Sequence, residues 1–235
     1  MAEALSQVVF ATSFSETQPE LSGVLFSFQE KELRLAATDR YRLAERRLSI
    51  SSENPVECKV IIPNRAVSEL VRMIGEETGQ IEISIAESQV LFRASSSELI
   101  SRLIEGQYPD YQQIIPKDFM TTVTVKIEEF VSAIKLSGLF VSSENNNIEM
   151  RADKEKNLLI LKSISQRFGS NKTEIPCVVQ GQDNEMIFNF RYLLDCLNHV
   201  SSPKVQLKLI NSNSPAMIMA EGQENYLYLV MPIKT

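Results

Sequence analysis

The strongest constraint on this chain is that one pattern of elements occurs in it twice. In the first half, Leu5, Val8, Val9 and Thr12 recur at helical spacing, which predicts a helix over residues 4–14. Alternating runs predict strands over 21–28, 32–38, 42–50 and 56–62, with turn-like residues at 29–31 and 39–40. Pro63 stands where a second helix opens, and Ala66, Val67, Leu70, Val71, Met73 and Ile74 give that helix an apolar face. Gly75 and Gly79 help to end it. Ile81, Ile83 and Ile85 then alternate with Glu82 and Ser84 as a half-buried strand, followed by strands over 90–94 and 98–104. The second half repeats the order: helix 127–139, strands 148–152, 158–164, 172–179 and 186–188, helix 191–200, and strands 205–209, 216–220 and 226–232. A unit this long is a duplicated domain rather than a solenoid repeat. The chain therefore reads as two α+β domains, residues 1–118 and 119–235, joined through 108–120, where Pro109 and Pro116 favour an extended connection. The copies differ in one respect. Residues 121–126 alternate as a strand ahead of the second copy's first helix, and the first copy opens directly on its helix. The expectation is that the first copy is truncated at its N-terminus or takes that strand from elsewhere, leaving a sheet edge that favours association.

With 235 residues, 43% of them hydrophobic, the chain holds enough apolar surface for two cores. Its net charge of −6 argues against a generally basic nucleic-acid binder. All of that excess lies in residues 1–118, which carry 12 Lys and Arg against 18 Asp and Glu, while residues 119–235 balance at 12 of each. Any contact with DNA must therefore come from a local arrangement of cations or from enclosure. Cys58, Cys177 and Cys196 are odd in number and form no C-x-x-C pair, so reduced, packed thiols are expected rather than disulfides or zinc. No apolar run reaches the length of a membrane span, and no signal peptide is visible.

Three strings carry a resemblance. Residues 37–44 read ATDRYRLA, residues 106–116 read GQYPDYQQIIP, and the chain ends on YLVMPIKT. In this order and spacing they resemble the beta subunit family of bacterial DNA polymerase III, the sliding clamps. The likeness covers nearly the whole chain and corresponds to the second and third of that family's three domains. It implies two tandem clamp-type domains, each with two helices packed on curved antiparallel sheet. It also implies a DNA replication role as a processivity factor in the cytoplasm, associated with the nucleoid. In the full-length family a homodimeric ring encircles double-stranded DNA without sequence preference and slides. With the first domain missing, this chain is expected to be a monomeric fragment. The alternative is a naturally two-domain clamp that closes as a trimer, which a light-scattering mass separates from a monomer.

The resemblance further implies a pocket between the two domains that holds short linear motifs, with a Gln anchor and a Leu-Phe-like end, of DNA polymerase, clamp loader and repair proteins. Carried over by motif, the pocket takes Leu21, Thr38, Arg40, Tyr41, Arg42 and Leu43 from the first copy. Pro109, Gln113 and Ile114 come from the connection, and Pro215, Ala216, Leu229, Met231, Pro232 and Ile233 from the second copy. Leucines, prolines and an adaptable methionine suit an apolar cleft. Arg40 departs from a position that is often Gly in the family, Tyr41 from one often His, and Gln113 from one that is Arg in some members. These departures change the rim more than the floor. Aspartate at Leu43 or Met231 is expected to abolish peptide binding with the fold kept. Arg65, Arg72, Lys135 and Arg191 are the helix cations that could face DNA, with Glu69, Glu128 and Glu129 close by in sequence.

Catalysis finds little support. His199 is the only histidine and stands late on a helix, where it bonds terminal carbonyls more readily than it does chemistry. There is no G-x-S-x-G, no Gly-rich phosphate loop, no H-E-x-x-H and no cluster of metal ligands. The expectation is a binding protein without cofactor, metal or membrane partner. A hydrolase or transferase on a similar α+β fold would need a carboxylate set that the sequence does not offer.

Overall fold

The computed structural model describes residues 1–15, 17–51, 57–75, 79–94, 97–141, 146–167 and 169–234. The chain divides into two compact units, Met1–Asp110 and Tyr111–Thr235.

The first unit opens with helix α1 (Ala2–Val9) and a 3-10 turn (Pro19–Ser22). Four strands follow, β1 (Gly23–Gln29), β2 (Glu32–Thr38), β3 (Arg42–Ser49) and β4 (Cys58–Pro63), all antiparallel in the order β3-β2-β1-β4. Helix α2 (Asn64–Ile74) leaves β4 without a loop. Strands β5 (Ile81–Ile85), β6 (Gln89–Ala94) and β7 (Ser97–Arg102) form a second antiparallel sheet in chain order. Helix α1 lies beside α2 and on β3 and β2. The first turn of α2 is tied to the end of α1: the Asn64 side-chain amide donates to the Val9 carbonyl at 3.1 Å and to the Thr12 hydroxyl. Phe26 of β1 and Phe92 of β6, both fully buried, meet at 6.1 Å between ring centroids and join the two sheets through one core.

The second unit begins with a 3-10 turn (Tyr111–Ile114) inside the stretch expected to be extended. Strand β8 (Thr121–Lys126) runs straight into helix α3 (Ile127–Gly138). Then come β9 (Asn147–Asp153), β10 (Leu158–Ser165), β11 (Gly169–Pro176), β12 (Val178–Gly181) and β13 (Asn184–Asn189). Helix α4 (Phe190–Leu197) is capped by the Asn189 side chain, which accepts from the Arg191 amide at 3.0 Å. Strands β14 (Lys204–Leu209), β15 (Ala216–Ala220) and β16 (Tyr226–Val230) complete the unit. One sheet has the order β11-β10-β9-β13, and the other runs β12-β8-β14-β15-β16. Helix α3 rests on β10 and β11 beside α4, as α1 rests on β2 and β3 beside α2. The duplication read from periodicity is therefore a duplication of packing as well.

Several boundaries differ from the sequence reading. The first helix stops at Val9 rather than reaching Phe14. The Ala11 amide and the Thr12 hydroxyl turn back onto the Val8 and Val9 carbonyls, and Phe14 stands 91% exposed. Leu21 belongs to the 3-10 turn, so its strand starts at Gly23. The fourth strand starts at Cys58, and Val56 falls outside the described residues. The run 172–179 is two strands. Pro176 offers no amide, and past it the chain leaves β10 for β8. The change of partner is held by Asn157, whose carbonyl accepts from Cys177 at 3.0 Å and whose side chain accepts from Val179 at 3.1 Å. Burial there pushes the Cys177 thiol up to about 11.

Gly181 ends β12 at φ +98°, and a Cβ there would stand 1.9 Å from the Met120 carbonyl oxygen. Gly181→Ala is expected to destabilise the protein by about 3 kcal/mol, combining a left-handed backbone with a clash against main chain. Thermal unfolding measures it, and an unchanged midpoint would show that the turn yields.

The copies also differ at one edge. Strand β14 is flanked by β8 and β15, whereas β5 has β6 as its single strand neighbour among the described residues.

Candidate functional site

The ATDRYRLA string forms the β2–β3 turn. Its ends are a cross-strand pair, Thr38 with Leu43. Between them the chain reverses at Arg40, which takes φ +77°. That conformation costs an L-residue other than glycine about 1–2 kcal/mol. Local polar groups hold it. The Thr38 hydroxyl donates to the Arg42 carbonyl at 2.7 Å and accepts from the Arg40 amide at 3.1 Å. Asp39 Oδ1 accepts from the amides of Tyr41 and Arg42, both at 3.0 Å, and Asp39 Oδ2 accepts from Arg42 Nε at 2.9 Å. Arg42 is the hub of the brace. Its guanidinium also donates to the Phe10 carbonyl at 3.0 Å and lies 5.5 Å over the Phe10 ring, which anchors the turn to the end of α1. Nothing in the local sequence pattern of Phe10 links it to a turn some thirty residues on.

The outcome is a rigid turn with two side chains turned outward. Tyr41 is 58% exposed, and the exposed Arg40 guanidinium has no hydrogen-bond or ion-pair partner among the described residues. Thr38, Arg42 and Leu43 are buried behind them, as is Leu21 in its 3-10 turn. The carbonyl of Leu21 accepts from the Ser13 amide at 2.8 Å, so Leu21 is tied to the segment after α1. Replacing Arg40 with glycine should relieve the strain at the cost of some unfolded-chain entropy. A net gain of about 0.5–1 kcal/mol in denaturant unfolding is expected, and a loss of stability would show that the arginine side chain itself supports the turn.

In the second unit, Ala216 and Leu229 lie on the paired strands β15 and β16 and are buried. Pro215, just ahead of β15, is half-buried. After β16 the chain continues as an unpaired segment, and the Ile233 amide donates to the Ile187 carbonyl of β13 at 2.8 Å. That bond ties the segment to β13 at Ile233; Pro232 is buried, while Met231 and Ile233 keep part of their surface exposed. Tyr228 in β16 donates from its hydroxyl to the Tyr192 carbonyl of α4 at 2.9 Å, so the strand feeding this segment is anchored to a helix. Pro109, Gln113 and Ile114 are exposed, Ile114 at 54%. Their neighbour Tyr108 is buried, with its hydroxyl 3.4 Å from the Ala36 carbonyl, and burial pushes its pKa up. An aromatic residue just ahead of a proline in a polar stretch was the available signal for that anchor.

The four helix cations are all exposed. Arg72 pairs with Glu69 within α2, and Arg191 lies 5.9 Å over the Phe190 ring in α4. Arg65 on α2 and Lys135 on α3 have no such partner among the described residues. His199 places Nδ1 2.7 Å from the Asp195 carbonyl, the helix-end bond that its position suggested. Among the described residues no three His, Cys, Asp or Glu side chains gather as a metal site, and no helix is long and apolar enough to cross a membrane.

Residues 1–110 match the family described as DNA polymerase III beta subunit, central domain, and residues 112–234 the family described as DNA polymerase III beta subunit, C-terminal domain. Among curated proteins, a beta sliding clamp from Staphylococcus aureus is 32% identical over 238 residues, and one from Synechococcus elongatus is 33% identical over 237 residues. Both alignments take in 100% of this chain, which spans 62% and 63% of those relatives' lengths. Among solved structures, a DNA polymerase sliding clamp from Bacillus subtilis superposes with a TM-score of 0.95 at 29% identity, covering 100% of this chain and 62% of that one. A DNA polymerase III beta chain from Streptococcus pneumoniae gives 0.93 at 30% identity, covering 99% and 62%.

Proposed function

Since the chain belongs to the DNA polymerase III beta subunit family, we propose that it serves as the peptide-holding part of a DNA sliding clamp, a cytoplasmic protein that works by binding rather than by turnover. The observation that carries the reading is that two successive family domains match in their family order, one on each compact unit. The partners in this reading are short linear motifs of DNA polymerase, clamp loader and repair proteins. The exposed Tyr41 and Ile114 and the half-exposed Met231 and Ile233 supply the surface a peptide touches. Leu21 and Leu43 are buried in the first unit, and Ala216 and Leu229 in the second. Burial of one Leu or Phe of the peptide against such residues contributes about 1.5–3 kcal/mol.

Duplex DNA enters the proposal through enclosure by a closed ring, a homodimer of full-length chains. With Arg65 and Lys135 the two of the four candidates that lack a local partner among the described residues, direct attraction is weak and falls with salt. A fluorescent peptide carrying Gln-x-x-Leu-Phe tests the reading. Saturable binding at micromolar concentration, about −8 kcal/mol, that unlabelled peptide competes away supports it. A folded sample that shows no saturable binding removes it.

A further inference from the structure

Arg40 is an anomaly of position. It occupies the tip of the β2–β3 turn at φ +77°, where glycine would avoid the backbone penalty. The brace around it is built from Thr38, Asp39, Arg42 and main-chain amides, and the Arg40 side chain takes no part in it. Its guanidinium is exposed, and among the described residues no partner repays the strain. Backbone strain kept at an exposed position points outward, to a ligand. The charge at the tip is also unopposed locally. Asp39, the neighbouring carboxylate, is committed to Arg42 and to two amides. What the turn offers is therefore a free cation next to an exposed tyrosine, on a rigid support, in a half of the chain that is otherwise acidic.

We propose that Arg40 is a specificity residue of the peptide site, selecting motifs that carry an Asp or Glu immediately beside their apolar anchor. The inference rests on the peptide-binding reading given above. An arginine fork pairs with a carboxylate in a defined geometry, and a charge on the rim of an interface sorts partners more than it adds affinity.

Three peptides that differ only in the residue flanking the Leu-Phe end, Glu, Gln or Lys, are titrated against the wild-type chain, Arg40→Gly and Arg40→Glu. The wild-type chain is expected to bind the Glu peptide about three- to tenfold more tightly than the Lys peptide, the range of an exposed ion pair gained and a repulsion avoided. In Arg40→Gly that ratio collapses, and in Arg40→Glu it inverts. Raising the salt to about 1 M, where the screening length is near 3 Å, narrows the wild-type ratio. Both variants fold at least as readily as the wild type, because glycine relieves the strain and glutamate meets the same backbone as arginine; circular dichroism checks this. Peptides that bind all three proteins with one common Glu-to-Lys ratio overturn the role of Arg40 and leave the peptide site standing. Failure of every peptide to bind the folded wild-type chain removes the site, and this inference with it.

Discussion

Replacing Met231 with aspartate is expected to weaken binding of a Gln-x-x-Leu-Phe peptide by at least about 100-fold while the chain stays folded. Met231 follows β16, keeps part of its surface exposed, and stands two residues before Ile233, whose amide donates to the Ile187 carbonyl. An aspartate there remains hydrated in the free protein. On binding it would replace about 1.5–3 kcal/mol of apolar burial and force a carboxylate out of water, and each 1.4 kcal/mol is tenfold in affinity. Met231→Leu, similar in volume and equally apolar, should restore most of the loss. Undiminished affinity in Met231→Asp would remove this residue from the site.

Aspartate at Leu43 is expected to act differently, by unfolding the first unit rather than by blocking a surface. The sequence suggested that the two substitutions would behave alike, but Leu43 is 1% exposed, in β3, opposite Thr38. Its truncation alone costs about 2–5 kcal/mol, and a buried carboxylate without a partner adds to that. A loss above about 4 kcal/mol consumes much of the 5–15 kcal/mol that holds a typical domain together. Circular dichroism and limited proteolysis read the effect. A variant that kept its wild-type unfolding midpoint would mean that Leu43 reaches water more easily than its burial indicates.

The duplicated order was legible because every helix and nearly every strand carries its own periodicity. In β14, Val205, Leu207 and Leu209 are buried while the residues between them are not, and in α2 Val67, Leu70 and Ile74 point inward. What periodicity cannot report is which strand pairs with which. Residues 172–179 read as one strand, yet the chain changes partner at Cys177, because the switch depends on Pro176 and on Asn157 from another turn. The same holds for the turn after Thr38. Its Asp39 cap could be anticipated from Asp in a tight turn, whereas the Arg42–Phe10 contact comes from tertiary packing of α1 on β3. Sequence also could not rank burial within the motif. Leu43 and Tyr41 stand two residues apart, and one is core while the other is open to solvent.

Peptides are expected to touch the turn that carries Tyr41 in the first unit and the segment after β16 in the second. Amide chemical-shift mapping of the 235-residue chain during titration with a Gln-x-x-Leu-Phe peptide reads which residues respond. Saturable shifts are expected at Thr38, Arg40–Leu43, Ile114, Ala216, Leu229–Met231 and Ile233, with β5–β7 and α3 left quiet. Shifts centred on β5–β7 or on the helix faces, with these amides unmoved, would contradict that expectation.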